Sequence, residues 1–280
     1  MRSELDDDTI PTGNTDVLAE VSAALADVTE LGAVEWAAAT SAGLRRRANE
    51  DAWGHDVGGF VVADGMGGHL GGATAATMAV TSFLQRLAYG DGNADWSAIV
   101  HAINGEVRRA GHRQGMPHLG TTMVAAVVAG PIVTIISLGD SRAYRLTRHP
   151  AGAARLDLLT HDHTVRAELL AAGLDVGAYQ ARGVALHGLT SFVGLEPDSL
   201  RIDVLAVPMR PGERILLCTD GVHRQLADDA LRDALSLPRC EQAARRLVDA
   251  ADAAGGRDNA TALVIEIGTL PEAPSDRWGT

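Results

Sequence analysis

The stretch Thr121-Thr122-Met123-Val124-Ala125-Ala126-Val127-Val128-Ala129, Gly130-Pro131, Ile132-Val133-Thr134-Ile135-Ile136-Ser137-Leu138, Gly139-Asp140, Ser141-Arg142-Ala143-Tyr144-Arg145-Leu146 reads as three β-strands in succession. The runs are rich in apolar and β-branched residues, and each joint is a short turn containing glycine. A crossover helix needs about a dozen residues or more, so neighbours joined this tightly must pair antiparallel.

Similar short apolar runs occur at Phe60–Ala63, Arg201–Val207, Arg214–Cys218 and Thr261–Ile267. Apolar residues at helical spacing predict helices near 72–89, 95–113, 164–172, 226–236 and 239–254. Strands and helices in blocks indicate an α+β domain with helices covering sheet faces, spanning 33–268. Residues 1–15 carry Asp6, Asp7, Asp8, Pro11 and Gly13 and predict a disordered acidic tail. Val17, Leu18, Val21, Leu25 and Val28 predict an appended helix over 16–32, and residues 269–280, with Pro271 and Pro274, a short C-terminal tail.

The chain has 280 residues, 46% hydrophobic and 21% charged, enough to bury a sizeable core. With 24 basic against 36 acidic residues the formal charge is −12, which disfavours a nucleic-acid partner. All the basic residues are Arg, and the absence of Lys excludes a Walker A phosphate loop and Schiff-base catalysis. Cys218 and Cys240 cannot form a disulfide framework, which fits a reducing compartment. No stretch approaches the roughly 18 apolar residues of a membrane span, so the expectation is a cytoplasmic protein without a membrane partner.

Carboxylates follow the apolar runs. Phe60–Ala63 leads into Asp64-Gly65-Met66-Gly67-Gly68, Ile215–Thr219 into Asp220-Gly221, and Ile135–Gly139 into Asp140, while Asp258 precedes the last strand. One Asp-Gly is an ordinary turn; four acids at strand ends suggest convergence. Crowded carboxylates repel unless cations neutralise them, and without clustered His or Cys they favour hard ions such as Mg²⁺ or Mn²⁺. Two such ions can activate a bridging water for in-line attack on phosphorus. Upstream, Arg45-Arg46-Arg47-Ala48-Asn49-Glu50-Asp51 sets guanidinium forks suited to a phosphate monoester beside two more acids.

Seven ordered segments carry a resemblance: Arg46–Asp51, Asp64–Gly68, Gly120–Thr122, Leu138–Arg142, Leu159–His163, Leu217–Gly221 and Arg257–Thr261. They resemble the motifs of the type-2C (PPM) metal-dependent serine/threonine protein phosphatases in their bacterial form, over about 35–267. The resemblance implies a four-layer αββα sandwich, two central antiparallel sheets flanked by helix pairs, with a two-metal site at one end. It implies that Asp64 bridges both ions, that Asp220 and Asp258 complete the first, and that Glu50 with the Gly65 carbonyl serves the second. Asp51 would hold metal-bound water, Asp140 with Asp220 a third ion, and Arg46 the phosphate, with Arg45 and Arg47 as alternatives in an ambiguous triplet. The implied reaction is direct attack of a metal-bridging water on phosphoserine or phosphothreonine of proteins linked to a serine/threonine kinase.

Two departures stand out. Met66 occupies the place of a His that many eukaryotic members carry, and the flap at 174–190 is shorter and more apolar than in related sequences. His69 reads as a surface residue, and His161 and His163 as framework residues. The altered flap permits a second reading, a catalytically silent relative that binds phosphoproteins as a regulator; a third is hydrolysis of a small phosphate ester.

Overall fold

A computed structural model describes residues 20–29, 32–56, 58–67, 70–88, 95–116, 119–148 and 154–268. In chain order the strands and helices are β1 (Glu20–Thr29), β2 (Gly32–Ser41), β3 (Asp51–Asp56), β4 (Gly59–Met66), α1 (Leu70–Ala88), α2 (Trp96–Arg113), β5 (Gly120–Thr121), β6 (Met123–Ala129), β7 (Ile132–Leu138), β8 (Arg142–Thr147), β9 (Arg155–Leu158), α3 (Val165–Ala171), α4 (Val176–Ala181), β10 (Asp203–Pro208), β11 (Arg214–Cys218), α5 (Asp220–His223), α6 (Asp228–Leu235), α7 (Cys240–Ala253) and β12 (Ala260–Ile267).

Two antiparallel sheets result. One runs β1-β2-β12-β11-β8-β9 and the other β10-β7-β6-β4-β3, with β5 paired to β4. The interior strands β4, β6, β11 and β12 read as nearly unbroken apolar runs because both of their faces are covered. Along β6, Val124, Ala126 and Val128 enter the core between the sheets, while Met123, Ala125 and Val127 pack beneath α1 and α2 with Phe83, Ile103 and Val107. Along β11, Ile215 and Leu217 face between the sheets, and Leu216 and Cys218 face Leu231, Leu235, Leu247 and Val248 of α6 and α7. Period-two geometry thus deals one apolar run into two cores, giving the four layers expected.

Local chemistry sets the helix boundaries. Asp95 caps α2, its side chain accepting from the Ala98 N–H, and the stripe Val100, Ile103, Val107, Ala110 is buried at helical spacing. Arg214 is fully buried in β11 and closes the end of α6: its guanidinium donates to the carbonyls of Leu235, Leu237 and Pro238 and pairs with Glu266.

The sequence reading needs correction at several places. The helix expected over 16–32 is absent from its described part: Glu20–Thr29 is a strand paired antiparallel with β2, irregular between Ala24 and Asp27. The spacing Val21, Ala23, Leu25 also fits period two, and β2 would otherwise leave an edge of unpaired N–H and C=O groups. The expected tails at 1–15 and 269–280 lie outside the described residues. The run 121–129 divides at Thr122, and β2, β3, β9, α4 and α5 were not read from the sequence. Strand β3 is a half-buried edge and α5 is only one turn, too little pattern for either to register. No helix among the described residues is long and apolar enough to cross a membrane.

Replacing Arg214 by Leu removes the shared donor of three carbonyls and leaves the half-buried Glu266 only its 3.6 Å contact with Arg148, which should cost about 2–3 kcal/mol. A lowered denaturant midpoint with unchanged slope would register it; a negligible shift would show that water reaches those carbonyls.

Candidate active site

The sheets terminate together at one end, and the turns there carry acids because a strand end must turn and the short Asp and Asn side chains suit turns. Asp51 opens β3 directly opposite Asp64 on β4. Asp220 opens α5 immediately after β11, Asp258 lies just ahead of β12, and Asp140 sits in the turn from β7 to β8. Arg46, Glu50, Asp64, Gly65, Asp140, Asp220 and Asp258 all line one open cavity of about 440 Å³. Asp51 does not line it but is held behind it. A second groove of about 460 Å³, lined by Trp53, His55, Val80 and Leu84, opens farther along β3 and α1 and carries a single acid, Asp56.

A buried network holds the acids in place. Asn259, itself buried, accepts from the Glu50 N–H at 2.9 Å and donates to the carbonyls of Ala42 and Ala48 at 3.0 and 2.9 Å, fixing the loop that carries Arg46. Asp51 Oδ2 accepts from the hydroxyls of Thr219 at 2.9 Å and Thr261 at 2.6 Å. Because Thr261 spends its proton on Asp51, its 2.7 Å contact with Thr40 requires Thr40 to donate, and Thr40 accepts from Asn49. Glycine is required where backbones touch. A Cβ at Gly65 would lie 2.2 Å from the Gly72 carbonyl oxygen, and one at Gly72 would lie 2.2 Å from Glu50 Oε2.

Burial and mutual repulsion disturb every acid of the inner set. Asp51 is pushed up to about 7, chiefly by burial, against the pull of the Thr261 and Thr219 hydroxyls. Asp64 lies well above the ordinary carboxylate range through burial and the charges of Asp51, Asp220, Asp140 and Asp258. Burial and Asp220 bring Asp140 to about 6, and Asp220 is raised by burial and Asp258. Arginines relieve part of this. Arg46 Nη2 donates to Asp258 Oδ2 at 2.7 Å, and Arg224 meets both Asp140 at 2.5 Å and Asp220 at 2.7 Å.

A cation pair fits this donor set. The groups are hard oxygens, burial and neighbouring charge raise Asp51, Asp64, Asp140 and Asp220, and Asp51 Oδ1 is buried without a hydrogen-bond partner. As they stand, no three described carboxylates are drawn together around a single point.

Of the arginine triplet, Arg46 lines the cavity, whereas Arg45 and Arg47 do not. Met66 lies in the wall. His69 lies outside the described residues. His163 is buried, its Nδ1 accepting from the Gly139 N–H at 3.2 Å and its Nε2 facing Asp203 at 3.3 Å, while His161 is 91% exposed. His163 thus belongs to the framework, whereas His161, expected there too, stands on the surface; neither lines the cavity. The flap contributes His187, Gly188 and Leu189 to the wall. Sequence reasoning missed His187 and Arg224; the four-residue step from Asp220 to Arg224, the spacing of helical ion pairs, was the available signal for the latter.

The raised acids make a pH prediction for the metal-free chain. Asp51 binds its proton more tightly folded (about 7) than at its ordinary 3.8, so the native state holds more protons between those values and stability falls as pH rises through that window. With EDTA present, melting temperature should decline from about pH 4 to 7, and Asp51→Asn should flatten the decline. A melting temperature that climbs across that range, or a slope unaltered in Asp51→Asn, would contradict the assignment.

Comparison with known proteins places this geometry. The family model described as Protein phosphatase 2C matches residues 44–259. The serine/threonine phosphatase Stp of Listeria monocytogenes is 32% identical over 221 residues, covering 74% of this chain and 83% of the relative. The serine/threonine protein phosphatase PstP of Mycobacterium tuberculosis is 29% identical over 246 residues, and the matched region covers 84% of this chain but 45% of that protein, so the chain spans about half of it. The crystal structure of the PstP catalytic domain in complex with two manganese ions superposes with a TM-score of 0.72 at 27% identity, covering 84% of this chain and 99% of that one. With a matching family model over most of its length and the fold to go with it, this chain belongs to the protein phosphatase 2C family.

Proposed function

We propose that the chain is a metal-dependent phosphatase that hydrolyses phosphoserine and phosphothreonine in proteins, with Mn²⁺ or Mg²⁺ as cofactor. The observation that carries this reading is the convergence of Arg46 with Glu50, Asp64, Gly65, Asp220 and Asp258 on one open cavity. The names of the relatives and the manganese pair in the PstP catalytic domain support it. Glu50, Asp64, the Gly65 carbonyl, Asp220 and Asp258 would hold the ions. When bound, the ions supply Lewis acidity, activating water and neutralising the phosphoryl group.

The chain's own residues do the rest. Arg46 is 53% exposed and meets one carboxylate, so its fork can leave Asp258 and grip two phosphate oxygens, orienting the ester. Asp51 lies behind the cavity wall, fixed by Thr219 and Thr261, and its buried Oδ1, which has no hydrogen-bond partner, would accept from a water that reaches it. Met66 offers no titratable proton at its position. The flap residues His187 to Leu189 form the wall that a phosphoprotein must pass, so they bear on substrate choice. The counterpart would be a serine/threonine kinase acting in the cytoplasm, a setting in keeping with free thiols at Cys218 and Cys240.

The test is hydrolysis of a phosphothreonine peptide and of p-nitrophenyl phosphate with Mn²⁺, with Mg²⁺ and with EDTA. Turnover should require the ions and prefer the peptide. Asp64→Asn should lower kcat by two or more decades, about 3 kcal/mol of lost transition-state stabilisation. Full activity in EDTA, or in Asp64→Asn, would refute the site. Arg46→Ala should mainly raise KM for the phosphopeptide, about tenfold or more for a lost bidentate contact; an unchanged KM would remove Arg46 from phosphate binding.

A further inference from the structure

The resemblance seen in the sequence implies a third divalent ion on Asp140 and Asp220. The structure places a side chain there. Arg224 Nη2 donates to Asp140 Oδ2 at 2.5 Å and Nη1 to Asp220 Oδ2 at 2.7 Å, so one planar guanidinium bridges both carboxylates through charge-assisted bonds. The side chains of Asp140 and Asp220 are 6% and 13% exposed and that of Arg224 36%, so the guanidinium lies on the solvent side of both acids.

Arg224 is tethered in a way Arg46 is not. Arg46 belongs to an irregular loop and touches a single carboxylate. Arg224 ends α5, donates its backbone N–H to the Asp220 carbonyl at 2.9 Å, and follows Asp220 by four residues, so it stays on its partner's face of the helix. The other side of Asp140 is also secured: buried His223, next to Arg224, donates from Nε2 to the Asp140 carbonyl at 2.8 Å. An ion entering this corner must break two charge-assisted bonds at once and leave the guanidinium beside a divalent charge.

We infer that Arg224 is a built-in cation at the Asp140–Asp220 position, so that this chain takes two divalent ions and excludes a third. The inference rests on the two-ion reading above. Its consequence is a corner of the cavity whose positive charge is independent of the metal supply, carried by a guanidinium residue that itself lines the cavity.

Equilibrium dialysis against Mn²⁺, with bound metal counted by elemental analysis, tests it. The full chain should saturate at two ions. Arg224→Ala should gain a third, weaker ion, as should Arg224→Gln, which keeps donors without the charge. Adding Asp140→Asn to Arg224→Ala should abolish the gain. Three ions on the unaltered chain, or two on the folded Arg224 variants, would overturn the inference. No bound ions on the unaltered chain would instead overturn the two-ion reading and this one with it, and circular dichroism in EDTA identifies any variant that has not folded.

Discussion

Repulsion among carboxylates at the mouth of the sandwich is the constraint on which the rest of the structure depends. Asp51 and Asp64 face each other on adjacent strands, and Asp140, Asp220 and Asp258 arrive from three other turns. Burial and each other's fields push the inner acids toward their protonated forms. An arrangement this costly persists only where cations are supplied and where the frame is rigid enough to prevent the acids from moving apart. Both conditions are met by named residues.

Rigidity comes from buried polar groups whose hydrogen bonds are nearly all satisfied. Asn259 ties the arginine-bearing loop to the start of β12, and the Thr40, Thr219 and Thr261 hydroxyls lock Asp51. Close backbone contacts exclude side chains where the layers meet: a Cβ at Gly221 would lie 1.9 Å from the Asn259 carbonyl oxygen. Such a network defines one geometry because partial loss leaves buried groups unpaired. The flap is the opposite case: most of α4 is exposed, and the segment returns to the core through Leu186 and backbone bonds to α3. A rigid end that holds the acids and a lightly anchored flap beside it separate chemistry from substrate choice.

In a chain without Lys, every cationic task falls to Arg, and the structure uses the guanidinium in three ways. Arg214 is a structural donor, buried where planar, multivalent hydrogen bonding outweighs desolvation. Arg46 is exposed and holds one acid, available to exchange it for another anion. Arg224 lies between these extremes, on a helical turn that fixes it over two acids. Surroundings, not residue type, distinguish the three.

By itself the sequence determined most of the interior strands, the helices with long apolar stripes, and a set of candidate acids at strand ends, because these signals are local: Val124 to Val128 is apolar in any context, and an Asp after a strand is a turn wherever it lies, whereas the Ala-rich β2, buried on both faces, carried too weak a pattern to register. Four acids in succession could suggest convergence, and the motifs could suggest the family. Tertiary structure decided what depends on partners distant in the chain. Residues 20–29 fit a helical or an extended period, and pairing with β2 settles the matter. Arg46, within its triplet, is the one that meets Asp258, 212 residues away. The cation at Asp140 is Arg224, 84 residues on, because folding brings the turn after β7 against α5. Such choices are made by hydrogen-bond geometry and by the cost of unpaired buried charge, and neither exists until the layers have closed.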